Sequence, residues 1–242
     1  MKTKTILLAL FALSVVFTSC DKDEDVTPST NVTTVTKTIS GYTGVDVSEP
    51  FMVYVTFSDT EETIRIEANA NLQQYITCEK QNDLLMISID DNVDISGGNT
   101  VLKVYISTKQ LDAFYGTGAS SIQLQNELIG SNLMVELTGA CTFTGTINVN
   151  QFNSELTGGS ILNIVGNSGS FNIEATGASN MESYDFTTND FTADLEGASN
   201  VYLTVQQELD VTATGASNVY YKGDGVIVNQ NLSGGSQIIK MD

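Results

Sequence analysis

Leu195-Glu196-Gly197-Ala198-Ser199-Asn200-Val201 returns 18 residues later as Ala213-Thr214-Gly215-Ala216-Ser217-Asn218-Val219, and this near-identity decides the fold. The central Gly-small-Ser tripeptide occurs five more times, at Gly118-Ala119-Ser120, Gly139-Ala140-Cys141, Gly158-Gly159-Ser160, Gly177-Ala178-Ser179 and Gly234-Gly235-Ser236. Successive glycines lie 21, 19, 19, 20, 18 and 19 residues apart. A near-constant period of this length means stacked supersecondary units. Four residues after each glycine stand the apolar Ile122, Phe143, Leu162, Met181, Val201, Val219 and Ile238. Two residues before it stand Gly116, Leu137, Leu156, Ala175, Leu195, Ala213 and Leu232. Apolar and polar residues alternate around these positions, as in Leu133-Met134-Val135-Glu136-Leu137. That is the period of a strand, not of a helix.

Each unit therefore reads as a strand, a tight corner and a second short strand. So short a unit cannot bury its inner face alone, so neighbours must stack and pair in parallel register. The corner takes tiny residues because successive turns lie about 4.8 Å apart, and glycine adds unusual backbone angles. The expected fold is all-β: a right-handed parallel β-solenoid of about seven coils over residues 111–242. A left-handed hexapeptide helix would show an apolar residue every six positions, and that pattern is absent. Cys141 occupies a column otherwise filled by serine, which makes it a small packing residue and not a nucleophile.

Residues 37–110 lack the tripeptide but are strand-rich. Met52-Val53-Tyr54-Val55-Thr56-Phe57, Thr63-Ile64-Arg65-Ile66-Glu67, Leu84-Leu85-Met86-Ile87-Ser88-Ile89 and Val101-Leu102-Lys103-Val104-Tyr105-Ile106 are separated by turn-forming Asp, Asn and Gly. This region is expected to cap the N-terminal end of the solenoid and cover an edge that would otherwise recruit other chains. Gly97-Gly98-Asn99, 21 residues before Gly118, suggests an eighth, degenerate turn.

The first residues carry an address. Lys2 and Lys4 precede the apolar stretch Ile6 to Phe17, which is too short to cross a bilayer needing about 20 residues. Residues 1–19 thus read as a secretory signal, and Phe17-Thr18-Ser19-Cys20 as a lipobox in which Phe17 replaces the usual leucine. Cys20 is the expected lipidation site, with the bilayer as its partner; an ordinary signal with an incidental cysteine is the alternative. Asp21-Lys22-Asp23-Glu24-Asp25 and the Thr/Ser/Asn-rich run to Thr36 read as a disordered tether over residues 20–36. Acidic residues behind a lipidated cysteine resemble a surface-export signal of some Gram-negative lineages, which points to an outer-membrane lipoprotein facing outward.

Ten basic against 29 acidic side chains give a net charge of −19, and removal of the signal would make the chain more negative still. Such a field repels phosphate backbones and excludes nucleic acid as a partner. Cations, basic proteins and neutral glycans remain. Scarce proline and abundant β-branched residues agree with an all-β chain. Cys78 and Cys141 make no disulfide framework and are expected unpaired.

The order Ile39-Ser40-Gly41-Tyr42, Val45-Asp46-Val47, Phe51-Met52-Val53-Tyr54-Val55, Leu84-Leu85-Met86-Ile87, Val104-Tyr105-Ile106, Leu111 and the Gly-Ala-Ser turns resembles the auto-transporter adhesin "head GIN" domain family. The resemblance covers roughly residues 37–242. It implies a β-solenoid in a bacterial envelope lipoprotein and suggests adhesion, and it brings no catalytic residues with it.

Histidine is absent, which removes the commonest general base, serine triads and most zinc sites. Arg65 is the only arginine and lies outside the repeat. Gly116-Thr117-Gly118 lacks the following helix of a phosphate loop. One constellation stands out: Glu136, Glu155, Glu174 and Asp194, each three residues before a repeat glycine. The alternation points them outward as a carboxylate ladder, which is either a Ca2+ site or a solvated acidic face. No other cofactor is expected. Asn180, Asn200 and Asn218 form a second column, in which buried amides would satisfy one another. Asn153, Asn172 and Asn229 could hydrogen-bond a glycan, with Tyr202, Tyr220 and Tyr221 as the candidate aromatic platforms, although cover for the coil's rim is the favoured role of these rings. The expected function is a non-catalytic surface binding or adhesion module for a glycan or protein ligand. A structural or regulatory lipoprotein facing the periplasm is the alternative, and a glycan hydrolase with paired carboxylates comes third.

Overall fold

Alternating apolar residues fold as strands throughout the computed structural model, which describes residues 24–242 and holds no α-helix among them. The N-terminal strands are β1 (Glu24–Val26), β2 (Val32–Lys37), β3 (Gly44–Val47), β4 (Met52–Phe57), β5 (Thr63–Asn69), β6 (Ile76–Gln81), β7 (Leu84–Ile89), β8 (Val93–Ile95) and β9 (Leu102–Thr108). The repeat supplies β10 (Ala113–Gly118), β11 (Ser121–Leu124), β12 (Leu128–Gly139), β13 (Thr142–Gly158), β14 (Ile161–Gly177), β15 (Asn180–Leu195), β16 (Asn200–Ala213), β17 (Asn218–Lys222), β18 (Val226–Leu232) and β19 (Gln237–Lys240). The chain is a β-solenoid of about seven turns, with parallel bridges about 19 residues apart.

The register is the one the tripeptide dictates. Gly139 pairs with Gly158 and Gly158 with Gly177. The column four residues on runs unbroken from Ile122 through Phe143, Leu162, Met181, Val201 and Val219 to Ile238. Inside, Phe152, Phe171 and Phe191 stack on consecutive coils, the first two with ring centroids 4.7 Å apart and planes 8° from parallel. Each is fully buried, which is worth about 1.5–3 kcal/mol per side chain.

The corner shows why small residues recur. All seven repeat glycines have positive φ. At Gly177 (φ +85°) an added Cβ would stand 2.6 Å from the carbonyl oxygen of Gly158. That oxygen already accepts a hydrogen bond from the Ala178 N–H at 2.7 Å, so it cannot withdraw. The serines turn back on their own corner: Ser160 Oγ donates to Thr157 O at 3.0 Å and Ser179 Oγ to Thr176 O at 3.2 Å. Cys141 takes the same place, buried and free, with its Sγ 3.4 Å from Thr138 O. Cys78 is also free and buried.

The N-terminal half does more than cap. β3 pairs in parallel with β10 on one side and β7 on the other, and β4 lies likewise between β11 and β9. Residues 44–57 are therefore a coil inserted between the first repeat coil and an outermost coil made of β7 and β9. The eighth turn expected at Gly97 does not stack beneath Gly118. The chain pairs β7 and β9 beneath residues 44–57 and leaves Gly97 and Gly98 in the excursion between them. Closure comes from antiparallel pairing: β6 on β7, β5 on β9, and β2 on β5. Antiparallel strands end the ladder because they turn the chain back without offering another coil to stack on.

The tether expected over residues 20–36 is ordered from Glu24 onward. β1 pairs with β8 and buries Val26, and β2 is the outer strand on β5. Its threonines and valines suit a pleated edge strand, a signal that polar composition concealed. The signal segment and Cys20 lie outside the described residues.

Candidate functional site

Between inward-facing Met181 and Phe186 four residues intervene, so the strict alternation of the strand breaks there. β15 bulges there relative to both neighbours: its pairing with β14 and with β16 shifts register across this segment. Bulges re-aim side chains, and this one lifts Tyr184 to the surface. The Thr204 hydroxyl donates to the Tyr184 carbonyl at 2.8 Å and holds the bulge in place. Beside it lies an open groove of about 470 Å³, running across four coils. Thr144, Asn163 and Gly145 lie along it, and Glu182, Ser183 and Asp185 come from the bulge. Gly145 shares the inward column of buried Ile164, and a Cβ there would meet the Leu124 side chain at 2.6 Å.

Outward columns on this face carry the tyrosines. Tyr202 and Tyr220 stack with centroids 4.5 Å apart and planes 9° from parallel, and Tyr184 meets Tyr202 edge-on at 5.7 Å. Lys222 Nζ lies 5.1 Å from the Tyr184 ring centre. At the other end, Tyr54 and Tyr105 stack at 5.1 Å, and the Arg65 guanidinium covers Tyr105 at 3.9 Å. Packing of these rings pushes the Tyr184 and Tyr202 hydroxyls above the ordinary tyrosine pKa, burial being the first cause and the facing Tyr220 the second. One face of the Tyr202 and Tyr220 rings is thus spent on the other, and Tyr184 meets an edge and a cation. Tyr202 and Tyr220 are half-buried along the rim, Tyr184 and Tyr202 line a second, smaller groove with Glu182 and Ser183, and Tyr221 points inward and is buried. Tyr184 and the groove were not legible as a site in the sequence; the broken alternation after Met181 was the available signal.

The other sequence candidates fall where the register puts them. Glu136 pairs with Glu155, Glu155 with Glu174, and Glu174 with Asp194, one carboxylate per coil. The ladder is a row along the outside of the stack and not a cage. Among the described residues no group of three or more His, Cys, Asp or Glu is placed to hold a metal ion. The row continues to Tyr115, whose hydroxyl is raised first by burial and then by the Glu136 charge. Asn180, Asn200 and Asn218 form their amide ladder, with Nδ2 to Oδ1 contacts of 3.1 and 3.0 Å. They are half-buried rather than buried. Asn172 donates to Asn153 at 2.9 Å, and Asn229 to Asp210 at 3.0 Å. These amides too are partly consumed by their neighbours. The repeat-corner glycines 118, 139, 158, 177, 197, 215 and 234 serve the fold: all have positive φ, and at each but Gly118 a Cβ would crowd the carbonyl oxygen of the glycine one coil before.

Residues 41–225 match the family model described as "Putative auto-transporter adhesin, head GIN domain". Among solved structures, a "putative adhesin" of Bacteroides fragilis superposes with a TM-score of 0.83 at 18% identity, covering 89% of this chain and all of that one. A "putative adhesin" of Parabacteroides merdae gives 0.70 at 16% identity, over 90% and 100% of the two chains. A "putative lipid binding protein" of Parabacteroides distasonis gives 0.69 at 17%, again over 90% and 100%. No curated protein matches.

Proposed function

Since the chain belongs to the auto-transporter adhesin head GIN domain family, we propose that it is a non-catalytic adhesion protein, anchored in the outer membrane through acylated Cys20 and displayed on the cell surface. The observation that carries this reading is the groove beside the β15 bulge, where Thr144 and Asn163, interleaved with Leu124, Ile164 and Val165, meet two carboxylates. Thr144, Asn163 and Ser183 offer donors and acceptors, while Glu182 and Asp185 make the groove acidic. The groove itself is lined by no aromatic ring, so recognition there falls to hydrogen bonding, charge and the aliphatic side chains. An extended polypeptide of neutral or basic character fits this better than a sugar needing aromatic stacking. The net charge of −19 favours the same ligand class by steering it inward.

The test is competition. Cells that display the chain are allowed to adhere to a basic protein coat in the presence of soluble residues 24–242. The wild-type fragment is expected to block adhesion, and the T144R/N163R fragment, whose groove is filled, is expected not to. Equal blocking by both would move the contact elsewhere; blocking by neither would contradict an adhesive role.

A further inference from the structure

The two ends of the stack are unlike. The N-terminal end is closed by the antiparallel strands β6, β5 and β2, which carry Glu79, Lys80, Arg65, Glu67 and Lys37. At the C-terminal end, β18 pairs only with β16 and β19 only with β17 among the described residues. Their outer edges offer unused backbone donors and acceptors. One coil further in, Leu209, Val211, Ala213 and Val219 are wholly buried. In the last coil Ile227, Leu232 and Ile238 occupy the inward columns yet are only partly covered, and Val226 and Val228 stand 63% and 55% exposed. Among the described residues no further layer covers Ile227, Leu232 and Ile238.

Charge says what that layer can be. Edge strands are commonly guarded by charged side chains, yet β18 (Val-Ile-Val-Asn-Gln-Asn-Leu) has none. The last 18 residues carry a single Lys240 and a single Asp242 on a chain of net charge −19. Most faces of two copies would repel each other, but this end is neutral. The chain also leaves the described region at Glu24, through β1 on β8, at the closed end. Whatever holds the N-terminus therefore holds the closed end, and the open end points away from it.

We propose that the C-terminal coil docks against the C-terminal coil of a second copy, by antiparallel pairing of the edge strands about a two-fold axis. The contact is isologous and stops at two copies, because each partner then presents its closed end outward. It sets the uncharged outer side chains Val226 and Val228 beside the partner's edge strand and supplies the missing cover over Ile227, Leu232 and Ile238. On an anchored chain the same contact joins copies on opposing surfaces, so the molecule is its own receptor. That consequence rests on the surface display proposed above; the pairing itself does not.

Sedimentation of residues 24–242 over a range of concentrations tests the pairing. The wild type is expected to reach twice the monomer mass and no more, and V226K/V228K, with an unchanged melting curve, to remain a monomer. A monomeric wild type, growth into longer polymers, or a dimer that survives in V226K/V228K would each overturn the proposal. Should that variant melt early, V228C decides: its thiols are expected to cross-link across the dimer with a short bifunctional reagent, and those of T34C, at the closed end, are not. The reverse pattern would place the contact at the wrong end. Beads coupled through the N-terminus should clump, and beads coupled through the C-terminus should not; this outcome is independent of where the protein resides in the cell.

Discussion

Glu49 stands directly beneath Gly118 in the stack and copies its backbone: Glu49 has φ +62°, and a Cβ on Gly118 would lie 3.4 Å from the Glu49 Cα. It holds the glycine position of the coil formed by residues 44–57. A side chain is tolerated because the outermost coil makes its excursion through β8 at this level and stacks no corner against it. The left-handed conformation costs a non-glycine residue about 1–2 kcal/mol. Glycine's greater freedom in the unfolded chain offsets about 0.5–1 kcal/mol of that. Glu49→Gly is therefore expected to stabilise the protein by up to about 1 kcal/mol, read as a rise in Tm of roughly 2–4 °C. A fall in Tm would mean that the Glu49 side chain matters more than its backbone.

The same column predicts unequal alanine scans. In Gly177→Ala the new Cβ meets the Gly158 oxygen at 2.6 Å in addition to the backbone strain. A loss of more than about 3 kcal/mol is expected from strain and overpacking together. In Gly118→Ala the Cβ makes only ordinary contacts with Glu49, and the loss should stay near the strain alone, about 1–2 kcal/mol. Chemical denaturation of both variants checks the difference; equal losses would contradict the crowding argument.

Ser154 is a hydroxyl in an apolar column. It lies between Val135 and Ile173, is buried, and its Oγ has no hydrogen-bond partner among the described residues. Leaving such a group unsatisfied costs about 1–3 kcal/mol. Ser154→Val, which matches its neighbour on the preceding coil, is expected to raise the denaturation midpoint by about 1 kcal/mol in stability. A drop would show that the column has no room for the extra methyl.

Asn200 sits in the middle of the amide ladder, donating to Asn180 and accepting from Asn218. Asn200→Ala removes both contacts and is expected to cost about 1–2 kcal/mol. Asn218→Ala removes one of the two and should cost about half as much. Thermal melts of the pair give the comparison, and equal costs would mean that the ladder contributes nothing as a unit.

Burial pushes the Tyr42 hydroxyl up to about 12, helped by the nearby Glu62 charge and opposed by Thr108. The folded pKa exceeds the unfolded value of 10, so the unfolded chain gives up its proton first. The stability this contributes is complete below pH 10 and is lost as pH rises from 10 toward 12, by about 2 kcal/mol. Tyr42→Phe has no proton to lose. Its stability should fall less steeply than wild type across that window in denaturant titrations at stepped pH, and parallel slopes would contradict the assignment.

What was legible in the sequence was whatever the repeat enforces. A 19-residue period with small corners fixes parallel register, and register alone aligned Glu136 with Glu155 and Asn180 with Asn200. The N-terminal half followed no period. Its coil of residues 44–57 is inserted out of chain order, which no local pattern encodes, and Glu49 hides the corner by lacking glycine. β2 was concealed because an edge strand needs only one good partner, which β5 supplies from more than 25 residues away in the chain. The groove was concealed because it arises from an irregularity, the β15 bulge, in a sequence valued for its regularity. Tyr202 and Tyr220 were correctly placed outward, but whether a ring faces solvent or its neighbour depends on side-chain torsions that alternation does not set.

The central claim is that this solenoid is displayed outside the cell, and limited proteolysis of intact cells tests it most directly. Protease added to living cells is expected to digest the protein while a periplasmic control survives. Survival of both, followed by digestion only after the outer membrane is opened, would place the solenoid on the periplasmic side and contradict the adhesive account.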